Sequence, residues 1–347
     1  MRVLVTGAAG FIGANYVRHR LSAQPEGRIV ALDALTYAGH RDNLEGCDAS
    51  PAFRFVRGDI ADQTRVAELL REESLDTIVH FAAESHVDRS IDGPDAFVAT
   101  NVVGTHALLK AAREVWLAGG GRPHRFHHVS TDEVYGTLRP GDPPFAETTP
   151  YAPNSPYAAT KAASDHLVRA YHETYGLQTT VSNCSNNYGP YQLPEKLIPL
   201  VIRRLLAREP VPVYGDGGNV RDWLHVADHC LGVDAVLEWG RPGGTYNIGA
   251  RNEQKNIDVV RALCRAFDER FPDAVPGGHE SLIRFVPDRP GHDRRYAIDP
   301  ARMESELGFR VDRPFSRGIA ETIEWYLAHR DWMERHAQPL PAWLGKV

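Results

Sequence analysis

Residues 2–13, Arg2-Val3-Leu4-Val5-Thr6-Gly7-Ala8-Ala9-Gly10-Phe11-Ile12-Gly13, decide the fold. The first five make a short apolar run, the pattern of a buried parallel strand. Three glycines follow, and then a segment with helical character through about Leu21. Glycines let the chain turn sharply and approach a ligand closely. The start of the next helix offers unpaired N–H groups and a positive dipole end to a diphosphate. A glycine motif alone is weak evidence; a strand before it and a helix after it give it the context of a dinucleotide site. Gly7, Gly10, Phe11, Ile12 and Gly13 are the residues this reading assigns to the cofactor.

Working outward, Arg28-Ile29-Val30-Ala31-Leu32 reads as a second strand ending at Asp33, 20 residues beyond Gly13. A carboxylate there accepts hydrogen bonds from adenosine ribose hydroxyls and repels a 2′-phosphate. No basic residue follows until His40 and Arg41, so NAD is favoured over NADP. Phe53–Arg57 is a third strand, and Thr77–Phe81 a fourth. Asp59, after the third, either reaches an adenine amino group or caps the helix that starts near Asp62. Ala82, Ala83 and Ser85, after the fourth, are small enough to let a cofactor lie close. Pro94 to Trp116 reads as a helix on which Asn101 has a structural place. The alternation of strand and helix through residue 130 predicts an α/β fold, a Rossmann-type doubly wound parallel sheet. Residues 1–190 would form it. After Cys184 the pattern turns irregular, and residues 191–347 read mainly as a smaller substrate-binding lobe, with the chain crossing back between lobes.

Composition narrows the class. The chain has 347 residues, 39 basic and 45 acidic, for a formal charge of -6. A nucleic-acid binder usually shows a basic excess, so that class is disfavoured. No run of about 18 apolar residues occurs, which argues against a membrane span. No signal peptide is read at the amino terminus. Cys47, Cys184, Cys230 and Cys264 are far apart and form no CxxC pair, so neither a metal site nor a disulfide framework is expected. These features fit a reduced, cytoplasmic enzyme.

The chemistry is placed by two further stretches. Arg125–Val129 reads as a strand, and Ser130-Thr131-Asp132-Glu133-Val134-Tyr135 lies at its carboxyl end. Ligands bind beyond the carboxyl ends of such strands. Two adjacent acids there are costly to desolvate unless partnered or used. Taken alone, a turn whose Thr and Asp cap the next segment is the stronger reading, and it gives way only when the stretch is set beside Tyr157 and Lys161. Downstream, Ser155 is a good N-cap, Pro156 suits the first helical position, and Gly176 is a stop. On this helix Tyr157 and Lys161 are four apart and share one face. A free tyrosine has a pKa of about 10. A nearby ammonium and a positive nicotinamide ring would lower it, making a phenolate able to deprotonate a hydroxyl as hydride leaves the same carbon.

The motifs TGAAGFIG (6–13), AAESHVDRSI (82–91), STDEVYG (130–136), YAATK (157–161), SNNYGPYQLPEKLIPLVI (185–202), GNVRDWLHVADHC (218–230), YNIGARNEQKNIDVV (246–260) and DRPGHDRRYAID (288–299) cover nearly the whole chain. They closely resemble those of the dTDP-glucose 4,6-dehydratases, a family of the extended short-chain dehydrogenase/reductase superfamily. The resemblance implies that Tyr157, aided by Thr131 and Lys161, deprotonates the carbon-4 hydroxyl of a nucleotide-linked glucose while hydride passes to NAD. It implies that Glu133 then removes the carbon-5 proton, that Asp132 protonates the leaving carbon-6 hydroxyl, and that the hydride returns to carbon 6. One acid must be ionised while the other is protonated; which is which cannot be read from the letters. The resemblance extends the cofactor set to Leu35, Thr36, Ile60, Phe81 and Thr100. For the nucleotide sugar it implies Ser85, Thr131, Asn186, Glu195, Lys196, Leu197, Pro212, Tyr214, Arg221, Asn256, Arg289, His292 and Tyr296, with Tyr214 as a base-stacking surface and Arg221 and Arg289 as phosphate clamps. It also implies a homodimer built from helices of the cofactor lobe. The alternatives are a nucleotide-sugar 4-epimerase, which needs the tyrosine but not the acid pair, and a non-catalytic NAD-binding sensor.

Overall fold

The computed structural model describes residues 1–288 and 291–338. Its strands in chain order are β1 (Arg2–Thr6), β2 (Arg28–Asp33), β3 (Phe53–Arg57), β4 (Thr77–His80), β5 (Arg125–Thr131), β6 (Thr179–Cys184), β7 (Asn186–Tyr188), β8 (Val211–Tyr214), β9 (Val220–His225), β10 (Thr245–Ile248), β11 (Glu253–Lys255) and β12 (Ile283–Val286). Seven of them form one all-parallel sheet in the order β3-β2-β1-β4-β5-β6-β10. This is a Rossmann-type doubly wound α/β fold, with its topological switch between β1 and β4.

The strands are apolar throughout because both faces are covered. Val3 and Val5 pack into one core with the helices Phe11–Ala23 and Val226–Trp239. Leu4, between them, points to the other core, under the helices Gln63–Glu72, Thr105–Trp116 and Pro156–Tyr175. Period-two alternation thus sends successive residues of β1 to opposite layers. β10 belongs to the second half of the chain yet closes this sheet beside β6.

The smaller lobe is built on the helices Leu197–Ala207, Asn256–Arg270 and Phe315–Ala328 around a separate core that includes Val201, Val213, Val260, Phe267 and Tyr326. Its strands make two small sheets, β11-β9-β7 and β12-β8. The pattern after Cys184 is therefore more regular than its Pro and Gly content suggests.

Two helices differ from expectation. Pro94 to Trp116 is continuous but passes through a π-helical stretch, Val98–Gly104, which carries Asn101. The sequence reads Gly318 to Arg335 as one helix packed onto the body by Trp325, Tyr326 and Trp332; it is two, Phe315–Ala328 and Arg330–Arg335, broken at His329 (φ -121°, ψ 42°). The break lets Trp332 turn inward, where its indole N–H donates to Asn43 Oδ1 at 2.9 Å.

Candidate active site

The glycine loop lies at the switch point. Gly7 has φ +65°, and a Cβ there would sit 2.6 Å from the Ala82 backbone nitrogen. At Gly13 a Cβ would lie 2.1 Å from the Gly7 carbonyl oxygen. Only hydrogen fits at either place, so the loops after β1 and β4 meet closely. The helix Phe11–Ala23 begins here with no acid in its first turn, leaving its positive end for an anion.

Asp33 closes β2. Its Oδ2 accepts from Ala9 N and its Oδ1 from Leu35 N, each at 2.8 Å. A carboxylate has about four acceptor positions, so two stay available. Burial raises the Asp33 pKa, and the two backbone N–H groups oppose that. Leu35 turns the chain with φ 56° and acts through this N–H; it is not among the cavity-lining residues.

A cavity of about 330 Å³ runs from this cradle to the end of β5. Gly7, Gly10, Phe11, Ile12, Gly13, Asp33, Thr36, Asp59, Ile60, Phe81, Ala82, Ala83, Ser85 and Thr100 line it, with Thr131, Asp132, Glu133, Tyr157 and Lys161 at the other end. Asp59 accepts from Ala61 N at 2.9 Å, while Asp62 caps the helix by accepting from Arg65 N. Asn101 is buried and structural: it accepts from Glu84 N and donates to Glu84 O and Thr160 Oγ1, fixing the loop after β4 against the helix that carries Tyr157. The strand-end carboxylate, the glycines that admit no Cβ and the acid-free helix start fit a dinucleotide.

At the end of β5 the chain enters a single 3-10 turn, Asp132–Tyr135. Thr131 Oγ1 caps it, accepting from Glu133 N at 3.3 Å and donating to Asp132 Oδ1 at 3.4 Å. Asp132 is 1 % exposed, and its Oδ2 has no hydrogen-bond partner among the described residues. Its pKa is pushed well above the usual carboxylate range by burial, then by the charges of Glu133 and Asp222, against the pull of Arg221. Of the two acids, Asp132 is therefore the one that favours its proton.

The helix Pro156–Tyr175 has the expected ends. Ser155 Oγ accepts from Ala158 N at 3.1 Å, Pro156 opens it, and Gly176 (φ 74°) terminates it in the left-handed region. One expectation is corrected. The Tyr157 phenol is pushed up, not down, by burial and then by Glu133, with a side-chain hydrogen bond to Thr131 opposing. The reason is the direction of Lys161. Its ammonium donates to Val129 O at 2.8 Å and lies 3.5 Å from His128 Nε2. Behind it sits buried Asp165, which accepts from Ser130 Oγ at 2.8 Å and Tyr151 OH at 2.9 Å. Burial lowers the Lys161 pKa, and Asp165 holds it up.

The residues implied for the nucleotide sugar fall into two groups. Ser85, Thr131, Asn186 and Lys196 line the cavity. The other described ones are not among its lining residues. Arg221, 5 % exposed, stacks its guanidinium 4.2 Å from the Tyr296 ring centroid and donates to Asp293 O at 2.9 Å; Tyr296 OH bonds the Asp293 carboxylate. The Tyr214 and His292 rings are 6.0 Å apart, and His292 Nδ1 is 2.6 Å from Asp288. Pro212 lies in β8, and buried Asn256 Oδ1 has no hydrogen-bond partner among the described residues. Glu195 faces His86 Nε2 at 3.4 Å and Arg89 at 3.8 Å, and Leu197 starts its helix. Arg289 lies outside the described residues.

Several lining residues escape a sequence reading. Tyr37, whose ring stacks 4.0 Å under the Arg89 guanidinium, and Cys184, Asn187 and Gln192 all face the cavity. Nothing in their local spacing marks them. Asp165 is different: it stands four residues after Lys161, a helical neighbour that could have been singled out.

Known proteins resemble the chain along nearly its full length. The family model described as GDP-mannose 4,6 dehydratase matches residues 4–322. A dTDP-glucose 4,6-dehydratase of Xanthomonas campestris pv. campestris is 56 % identical over 335 residues, covering 95 % of this chain and 94 % of its own. The crystal structure of a dTDP-glucose 4,6-dehydratase from Streptomyces venezuelae, with NAD bound, superposes with a TM-score of 0.89 at 48 % identity, covering 97 % of this chain and all of its own. A UDP-glucose 4-epimerase of Thermus thermophilus, also in complex with NAD, gives 0.82 at 30 % identity, covering 94 % of this chain and 99 % of its own.

Proposed function

The chain belongs to the dTDP-glucose 4,6-dehydratase family, and from that premise we propose that Tyr157, Thr131, Lys161, Asp132 and Glu133 carry out its reaction. The enzyme is a hydro-lyase that converts dTDP-glucose to dTDP-4-keto-6-deoxyglucose with NAD as cofactor. One observation supports the assignment above the rest. A phenol and two adjacent carboxyls line the same cavity as a dinucleotide cradle.

Gly7, Gly10, Gly13 and Asp33 would hold the dinucleotide, with Lys161 on its nicotinamide ribose. NAD, when bound, would supply the acceptor and later donor for the hydride exchanged between carbons 4 and 6, and its ring charge would favour the Tyr157 phenolate. Tyr157 takes the proton from the carbon-4 hydroxyl. The resulting ketone acidifies carbon 5, and Glu133 removes that proton. Asp132, protonated by its surroundings, donates to the departing carbon-6 hydroxyl, which leaves as water. Glu133 then returns its proton to carbon 5. A raised acid next to an ionised one is the arrangement that lets adjacent carboxyls play opposite parts at one pH.

Residues 1–190 serve the cofactor and the chemistry in this reading. Residues 191–347 mainly serve the nucleotide sugar, with β10 returned to the first lobe. Arg221 would serve the diphosphate and Tyr214 the base, a reading supported for Arg221 by the action of its charge on Asp132. The assembly is a homodimer joined through helices of the cofactor lobe, supported by Val98 and Val103, which stand 47 % and 55 % exposed there. A cytoplasmic location agrees with four buried, unpaired cysteines.

The test is incubation of the enzyme with dTDP-glucose, then with the uridine and cytidine analogues. A base-induced 4-keto chromophore, strongest with the thymidine nucleotide, is the expected outcome. Formation of dTDP-galactose instead would move the chain to the epimerases.

A further inference from the structure

The proton ledger of this reaction does not close on its own. At the start Tyr157 is a phenolate, Asp132 a carboxylic acid and Glu133 a carboxylate. Tyr157 gains the carbon-4 hydroxyl proton. Asp132 loses its proton to the departing water. Glu133 takes the carbon-5 proton and gives it back to the same carbon. Hydride leaves carbon 4 and arrives at carbon 6, so the electrons balance. At the end Tyr157 holds one proton too many, and Asp132 one too few. The product keeps its ketone, so Tyr157 cannot return the proton to oxygen 4. Each turnover must therefore move one proton from the phenol to the acid.

Both groups are shielded from solvent, Tyr157 at 8 % exposure and Asp132 at 1 %. One side chain touches both. Thr131 Oγ1 lies 3.4 Å from Asp132 Oδ1, and the same hydroxyl is hydrogen-bonded to the Tyr157 phenol. Its remaining acceptor position is taken by Glu133 N–H at 3.3 Å, which fixes the oxygen between them. A hydroxyl has one donor and two acceptor positions. Here they are filled by Glu133 N–H, by the phenol, and by Asp132, leaving no valence for water.

We propose that Thr131 is the relay that resets the site, taking the proton from Tyr157 and passing its own to Asp132 after each turnover. In the ready state hydrogen bonds run from the Asp132 acid through Thr131 to the phenolate. After turnover they run from the phenol through Thr131 to the Asp132 carboxylate. The reset breaks the phenol O–H and Thr131 O–H bonds and forms a new O–H on each of Thr131 and Asp132. The hydroxyl turns from Tyr157 to Asp132 once the acid has given up its proton, and the transfer itself restores the first polarity. This rests on the roles given to Tyr157 and Asp132 under the proposed function.

The experiment compares a single turnover with steady state in Thr131→Val, which keeps the shape and loses the hydroxyl, and in Thr131→Ser, which keeps the hydroxyl. Product is followed by rapid quench, with imidazole or formate as small proton carriers. Thr131→Val should complete one turnover per site as a burst and then slow, by roughly 100-fold or more relative to that burst. Its steady rate should rise with carrier concentration. Thr131→Ser and the natural enzyme should show neither effect. A Thr131→Val enzyme equally slow in the first and later turnovers overturns the relay, because the hydroxyl then serves only the chemical steps. A burst whose slow phase ignores the carriers also overturns it, because product release then limits. Should Thr131→Val fail to fold, Thr131→Ala reads the same way. Failure of the underlying roles is seen separately, as dehydration that persists in Tyr157→Phe or Asp132→Asn.

Discussion

Replacing Asp165 with asparagine should stabilise the folded protein at neutral pH while slowing the enzyme. Asp165 is fully buried behind Lys161, and burial outweighs the Lys161 charge and three side-chain hydrogen bonds, pushing its pKa up to about 6 from 3.8. The folded chain therefore binds this proton more tightly than the unfolded chain does. Asp165 contributes most favourably below about pH 4, and that contribution is lost as pH rises through about 6. A rise of about two units amounts to about 3 kcal/mol of ionisation penalty borne at neutral pH. An asparagine oxygen can still accept from Ser130 and Tyr151, which both bond the same carboxylate oxygen. Removing the charge thus removes the penalty and keeps the shape. The assay is urea unfolding of both proteins at several values between about pH 4 and 7.5, where titrations shared by the two cancel in the difference. The variant should gain on the natural protein by about 3 kcal/mol across that window. Loss of the Lys161 proton in the variant would move the difference the same way. A difference constant to within about 0.5 kcal/mol, or one favouring asparagine only in acid, would refute the reasoning. The rate should fall because Lys161 then holds its ammonium in a buried site without its counter-charge.

Two other outcomes follow from the geometry. Glu133→Gln should still transfer hydride from dTDP-glucose, seen as reduced-nicotinamide absorbance, while water loss falls by roughly 10²- to 10⁴-fold; normal dehydration would remove the role assigned to Glu133. Gly13→Ala puts a methyl 2.1 Å from the Gly7 carbonyl oxygen and should purify with little bound NAD, measured as nucleotide released on denaturation; a full complement would mean the loop can shift to admit it.

The parts of this molecule that could be read from the letters are those set by near neighbours. The strand, glycine turn and helix of residues 2–13 form one continuous βα unit, and their glycines are demanded by contacts within that unit and with the next loop. Ser155, Pro156 and Gly176 mark their helix because capping is a matter of adjacent backbone groups. Tertiary contacts were not legible in the same way. Trp325, Tyr326 and Trp332 keep a helical spacing across His329, so the break there is invisible until Trp332 is seen bonding Asn43, 289 residues away in sequence. The four-residue interval from Tyr157 to Lys161 fixes a shared helical face but not where a long flexible chain ends. Lys161 is drawn to the Val129 carbonyl, so the ammonium does not depress the phenol as its spacing suggested.

The acid pair shows why neighbours in sequence can differ in chemistry. Thr131 starts a single tight turn, and across that turn Asp132 is buried while Glu133 stays partly exposed. Burial alone would separate them, but a second influence comes from the smaller lobe. Arg221 and Asp222 are consecutive residues of β9, and both act on Asp132 with opposite sign. Asp222 is held in place by Ala250 N at 3.0 Å and Asn252 N at 2.7 Å, and Arg221 by its stacking on Tyr296. The proton affinity of the acid is therefore set partly by a strand that contributes nothing to the cofactor cradle. Any movement of the smaller lobe against the sheet changes the distance from Asp132 to a fixed positive and a fixed negative charge.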